Sequence, residues 1–287
     1  MSNIESPKRA IINFTKKCAL SCEWCYVPFG SQSISKELLS SVVKRLRDLG
    51  FDSVTFGGGD PFQFKHLDFI IKEAKEIGLF VHVDTHAITL LENQKNAGLL
   101  ESYVDLLGLP LDGSTGEVHD RMRGSTGHYE LIMSRLNWLR DRSISIKINT
   151  IISSINVSDL KELGKLMSSL SPNRWSIYQY WPVGPARKAA SENALDVNQF
   201  RENISVINLK EFNNTVIEVN TAESRRKTYP ILNHLGEVYV HHEYPVDDFE
   251  FVGQIFDTNI SDKISVLCGQ ERREVVARYI ATDKRVN

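Results

Sequence analysis

Arg9-Ala-Ile-Ile-Asn-Phe14 and Ser53-Val54-Thr55-Phe56 are two short β-like runs, and between them Ile34 to Leu49 carries Leu38, Leu39, Val42, Val43, Leu46 and Leu49 at helical spacing. The helix opens at Ser35, whose hydroxyl suits an N-cap, and stops at Gly50. This is a strand-loop-helix-strand unit, and its first loop holds Cys18-Ala-Leu-Ser-Cys22-Glu-Trp24-Cys25. The second strand runs into Gly57-Gly58-Gly59-Asp60-Pro61.

The alternation continues along the chain. Leu67 to Ile77 reads as a helix ended by Gly78, Leu79 to Asp84 as a third strand, Thr89 to Leu100 as a helix and Tyr103 to Leu111 as a fourth strand. A helix at Tyr129 to Leu139 precedes a fifth strand at Ser143 to Ile152, and one at Leu160 to Leu170 precedes a sixth at Trp175 to Trp181. Strands separated by helices predict parallel pairing through right-handed crossovers, hence an α/β fold built as a partial (β/α)6 barrel. After Pro185 the pattern changes to a helix candidate at Val197 to Leu209, a run at Thr215 to Val219, and a β-rich tail with Val238 to His242 and Phe249 to Phe256. The expected organisation is a barrel core over residues 1–190 and a short β-rich C-terminal extension over residues 191–287 that covers the barrel mouth.

Composition sets limits on function. The chain has 287 residues, 41% of them hydrophobic and 24% charged, enough to bury one sizeable core. A formal net charge of -2 supplies no global attraction for nucleic acid or an acidic membrane surface, and neither is expected as a partner. The opening MSNIESPKRAIINF lacks the apolar run of a signal peptide, and no stretch approaches the roughly 18 apolar residues that span a bilayer. A cytoplasmic protein is expected. Three of the four cysteines crowd one loop, which favours reduced thiolate ligands over disulfides.

In parallel barrels the site is built from loops at the carboxyl ends of the strands. The cysteines follow strand one, the glycines strand two, Asp84-Thr85-His86 strand three, and Leu111-Asp112-Gly113 strand four. Three thiolates spaced C-x3-C-x2-C can wrap three corners of a four-iron cluster and leave one iron open. They can equally hold zinc, with Cys268 or one of His234, His241 and His242 as fourth ligand. The cysteines alone leave both readings open. The glycine run favours the first, because backbone without Cβ admits a close ligand and Asp60 can accept from an ammonium group.

With those two motifs the chain resembles the radical S-adenosylmethionine (SAM) enzymes over about Ala10 to Pro185. The resemblance implies that Cys18, Cys22 and Cys25 hold a [4Fe-4S] cluster and that the amino and carboxylate groups of SAM chelate its open iron. It places Gly57, Gly58, Gly59 and Asp60 at the methionyl part of SAM, and Thr85, His86 and Asp112 at its adenosine. Asp60 stands where that family usually has Glu. The implied chemistry is reductive cleavage of SAM and abstraction of a hydrogen atom from a small substrate, with an electron donor such as a flavodoxin or ferredoxin.

The substrate is addressed by Ile146-Lys147-Ile148-Asn149-Thr150, by Asn173-Arg174-Trp175-Ser176 and by Lys227-Thr228-Tyr229-Pro230, which resemble the viperin-like branch. That branch dehydrates nucleoside triphosphates at the ribose, so the resemblance implies Lys147, Asn149 and Arg174 as nucleotide contacts and Tyr229 as a catalytic acid or hydrogen donor. Strand phase agrees: Lys147 and Asn149 point to one face, and with Ile146 and Ile148 outward that face is the lumen. Arg225, Arg226 and Lys227 add local positive charge. Ser176 and Ile11 depart from the branch, and Leu111-Asp112-Gly113 with His119-Asp120-Arg121-Met122-Arg123-Gly124 looks instead like radical enzymes that modify peptides or build cofactors. Cys268 alone cannot ligate a second cluster and reads as a buried thiol.

Overall fold

The computed structural model of the chain describes residues 8–27, 32–242 and 248–268. Strands β1 (Arg9–Asn13), β2 (Ser53–Gly57), β3 (Phe80–Asp84), β4 (Leu106–Pro110), β5 (Ile146–Ile152), β6 (Arg174–Gln179), β7 (Val216–Asn220), β8 (Ile231–Leu232), β9 (Glu237–His242) and β10 (Asp248–Gln254) form one sheet. Their order is β10-β9-β8-β1-β2-β3-β4-β5-β6-β7. Every pair from β8 through β1 to β7 is parallel, while β9 and β10 add antiparallel strands at one edge. The six expected strands therefore sit inside a longer parallel array of partial-barrel form, and the segments after residue 190 continue the same sheet at both edges. Residues 269–287 of the expected extension lie outside the described residues, as does the side chain of His242.

Helices α1 (Lys36–Asp48), α2 (Leu67–Glu76), α3 (Gln94–Tyr103), α4 (Gly116–Arg123), α5 (His128–Leu139) and α6 (Leu160–Leu170) connect the first six strands. Ser35 caps α1 by accepting from the Leu38 amide, and Leu39, Val42, Val43 and Leu46 bury its inner stripe. Out-facing strand residues such as Val54, Phe56, Val81, Val83 and Ile148 complete that core. Helix α3 begins later than its apolar pattern suggests, because Asn93 rather than Thr89 caps it, accepting from the Asn96 amide. The Thr89 hydroxyl donates instead to Asp60 Oδ2. Helix α4 has too few apolar residues for periodicity to show, but its stops are in the sequence: Thr115 accepts from the Val118 amide, and Gly124 closes it in the left-handed region at φ +60°.

The in-facing residues make a polar lumen. Arg9 Nε donates to Thr55 Oγ1 at 3.0 Å, and Thr55 Oγ1 lies 3.0 Å from His82 Nδ1. His82 Nε2 lies 3.0 Å from Asp84 Oδ1, which also accepts from Asn149 Nδ2 at 2.8 Å. Burial lowers His82 to about 4, so it is neutral near pH 7. Burial alone would raise Asp84, but His82 and the Lys147 charge outweigh it and hold the carboxyl well below its usual range. Across the lumen, Lys147 pairs in register with Arg174; Lys147 Nζ donates to Tyr178 Oη at 3.0 Å, and Arg174 Nη1 pairs with Glu218 Oε1.

Candidate active site

The loop that carries the cysteines is pinned at both ends. The Ile34 amide donates to the Phe14 carbonyl at 2.9 Å, and the hydroxyls of Thr15 and Ser33 are 2.8 Å apart. The turn after β2 clamps its base, with the Gly59 amide donating to the Thr15 carbonyl at 2.6 Å and the Asp60 amide to the Lys17 carbonyl at 3.0 Å. Gly58 has φ +109°, and a Cβ there would lie 2.5 Å from the Thr15 carbonyl oxygen. A Cβ on Gly59 would overlap the Lys17 carbonyl. The sequence suggests glycines that make room for a ligand; in the structure they also make room for the cysteine loop.

Cys18, Cys22 and Cys25 and Gly57, Gly58 and Gly59 line one cavity of about 220 Å³. Thr85, His86, Asn149 and Tyr229 line it too. Lys147, Arg174, Asp60 and Asp112 are not at its wall. The first two lie 1% exposed in the lumen, beneath the cavity-lining Tyr178 and against Glu218. Asp60 is fully buried, accepting from the hydroxyls of Thr85 and Thr89, with His86 Nε2 3.7 Å away. Asp112 is equally buried, 2.6 Å from Arg123 Nε, and accepts from the Ile151 amide at 2.8 Å. Those bonds make Asp60 and Asp112 organisers of the cavity wall.

Other lining residues escaped the sequence reading, among them Arg9, Asn13, Tyr26, Tyr178 and Trp181, while Asp84, Arg123 and Arg225, which stood there in motifs or as local charge without an assigned contact, line it too. The strand-phase rule that selects Lys147 and Asn149 also selects Asn13 with Ile11 and Arg9 on β1, and Asp84 with His82 on β3. Arg123 comes from the end of α4. Its guanidinium stacks 4.4 Å from the Trp24 ring, and the Trp24 indole donates to the Met122 carbonyl at 3.1 Å, so α4 braces the cysteine loop.

The donor set fits an iron-sulfur cluster. Among the described residues, no group of three or more His, Cys, Asp or Glu side chains is arranged to hold one metal ion. Three thiolates on one loop suit a cluster, which holds its thiolates apart at separate irons. Burial raises all three thiols, Cys22 to about 11, so ligation would displace their protons. Among the described residues, two buried polar atoms of cavity-lining side chains also stand without a protein partner: Asn149 Oδ1 and Trp181 Nε1. Such atoms suit a polar ligand in the cavity. Cys268 does not line it; it is half-buried against the core behind the helix Ile260–Leu267, and burial raises its thiol to about 12.

A partial parallel barrel whose strand ends bring three sulfur donors and a glycine turn to one polar cavity defines a class of cluster-dependent radical enzymes. Residues 12–167 match the Radical SAM superfamily, more than half of the sequence, and the chain belongs to that superfamily. It is an enzyme of a family that uses a [4Fe-4S] cluster and SAM. It is 28% identical over 182 residues to an AdoMet-dependent heme synthase of Oleidesulfovibrio alaskensis, covering 62% of this chain and 47% of that protein. It is 24% identical over 240 residues to an S-adenosylmethionine-dependent nucleotide dehydratase of Flammeovirga pacifica, covering 77% of this chain and 78% of that one. The chain thus spans about half the length of the first of these relatives. The structure of Streptococcus suis SuiB bound to precursor peptide SuiA superimposes with a TM-score of 0.72 at 15% identity, over 93% of this chain and 66% of that one, and shares the fold. No helix among the described residues is long and apolar enough to cross a membrane.

Proposed function

We propose that the chain acts on a small anionic substrate, a nucleoside triphosphate, by radical dehydration at the ribose, with Cys18, Cys22 and Cys25 holding the cluster. The observation that carries this reading is the polar lumen beneath the cavity, where Lys147 and Arg174 lie side by side on β5 and β6 below a wall lined by Asn149, Tyr178 and Tyr229. Buried cations call for anionic partners. When bound, the cluster and SAM would supply the chemistry of reductive SAM cleavage and hydrogen-atom abstraction from the substrate. The protein's own groups do the rest: Gly57 to Gly59 fix the cysteine loop, Thr85 and His86 face SAM, and Asn149 orients the ribose. Tyr229, whose phenol burial raises, stays protonated and is placed to give the proton with which the ribose hydroxyl leaves as water, the one electron that completes the dehydration coming from the external electron donor. The nucleotide dehydratase relative, matched over most of both chains, supports the same reading.

A second reading, modification of a peptide or cofactor precursor, draws on the heme synthase relative and on the fold shared with SuiB. The deciding experiment gives anaerobically reconstituted, reduced enzyme SAM and each nucleoside triphosphate in turn, and follows 5′-deoxyadenosine. Stimulation by at least one triphosphate is expected. If none stimulates, the nucleotide reading is lost and the second takes its place. A colourless protein carrying one zinc would remove both.

A further inference from the structure

Arg225 is a buried guanidinium, 7% exposed, at the wall of the cavity. Its Nε donates to the Thr221 carbonyl at 3.4 Å and its Nη2 to the Gln179 carbonyl. Its plane rests 4.4 Å from the Trp181 ring and 5.4 Å from Tyr178. Two carbonyls and two aromatic rings hold the group in place, yet none of them carries a negative charge. Among the described residues Arg225 has no carboxylate partner, and Nη1 makes no hydrogen bond. This sets it apart from the other cations nearby, since Arg174 pairs with Glu218 and Arg123 with Asp112.

The nearby carboxylates are engaged by other groups. Arg174 and Lys147 hold Glu218 below its usual range against the pull of burial, and His82 and Lys147 do the same for Asp84. A buried guanidinium held only by neutral groups is stabilised by a ligand anion, and a planar fork with a free amino group matches a phosphoryl oxygen pair. A phosphoryl group brings close to two negative charges at neutral pH.

We propose that Arg225 is the anchor for a phosphoryl group of the substrate, held over Trp181 and aimed by the Thr221 and Gln179 carbonyls. The proposal rests on the nucleotide reading for the rest of the substrate, but the anchor is tested apart from it. Cluster-loaded enzyme is titrated by calorimetry with inorganic pyrophosphate, then with Arg225→Gln and Arg225→Lys in its place, and SAM affinity is measured on each. Wild-type enzyme binds pyrophosphate, with affinity falling as salt rises. Arg225→Gln binds it at least tenfold more weakly at unchanged SAM affinity. Arg225→Lys, which keeps the charge and loses the fork, is weakened at least threefold and decides the matter should the Gln variant fail to fold. Wild-type affinity in the folded Gln or Lys variant, or no pyrophosphate binding by wild-type enzyme, overturns the anchor. Arg225-dependent pyrophosphate binding with no triphosphate stimulating SAM cleavage keeps the anchor and removes the nucleotide.

Discussion

The Gly59 amide donates to the Thr15 carbonyl at 2.6 Å, so the turn after β2 and the strand leading to Cys18 are one unit. Gly59→Ala would drive a methyl into the Lys17 carbonyl, backbone that cannot rotate aside. The expected cost is about 3 kcal/mol or more, at the upper end for overpacking. The loop that moves is the one holding Cys18 and Cys22, so iron content after reconstitution should fall with stability. Urea unfolding and iron analysis of the variant check this; a variant with wild-type iron content would show that the clamp does not position the thiols.

The phase of the strands and the stops of most helices were legible because one face of each element is continuously apolar, as in Leu39, Val42, Val43 and Leu46 of α1. Helix α4 was not, since Gly116-Glu-Val-His-Asp-Arg-Met-Arg123 buries His119 and Arg123 beside Met122 and shows no apolar stripe. The cysteine and glycine motifs were legible as local patterns. Arg225 was legible only as local charge, and Glu218 was not recognisable as a site residue, because its importance comes from β7 pairing beside β6, a contact between distant segments. The partnering of Asp112 and Asp60 was hidden for the same reason: Arg123 and Thr85 meet them only in three dimensions.

Acid should destabilise the fold well before carboxylates titrate. Burial lowers His82 to about 4, His119 to about 2 and His128 to about 4, and lowers His86 as well. The unfolded chain takes up protons below about pH 6.5 that these folded sites refuse, so stability is full above that pH and declines as pH falls towards 4. Each such histidine adds about 1.4 kcal/mol per pH unit within its window. His119 Nδ1 accepts from the Asp112 amide at 3.0 Å, so its proton sits on Nε2, which faces His128 Nδ1 at 2.9 Å. His128 Nε2 then donates to the His86 carbonyl at 2.8 Å. Urea midpoints at pH 7, 6 and 5 should fall steadily, and His128→Gln should flatten the slope. An unchanged midpoint between pH 7 and 5 contradicts this assignment.

Lys147→Ala separates lumen structure from substrate binding. Lys147 Nζ reaches Tyr178 Oη, and the Tyr178 ring lines the cavity. The cysteines belong to another part of the wall, so the variant should load iron and bind SAM as wild type does. Removing the buried cation beneath the proposed triphosphate should raise the apparent KM for an activating triphosphate by about tenfold or more, the usual scale for a lost charge-assisted bond. An unchanged KM would confine Lys147 to supporting Tyr178 and Glu218.

Asp112 and Arg123 form a fully buried pair that links the end of β4 to the helix bracing the cysteine loop. Burial raises the Asp112 carboxyl despite the arginine, which shows how little water reaches it. Asp112→Asn leaves the Arg123 charge uncompensated beside Trp24 and should destabilise the fold by about 3 kcal/mol or more. Arg123→Met alone strands the carboxylate instead, although protonation lets Asp112 relieve part of that loss. Pairing Asp112→Asn with Arg123→Met removes both charges and should recover much of the stability lost by either partner's removal, a non-additivity that a double-mutant cycle reads directly. Additive losses would mean that the two side chains act independently, with α4 held to the cysteine loop by the Trp24 bond to the Met122 carbonyl alone.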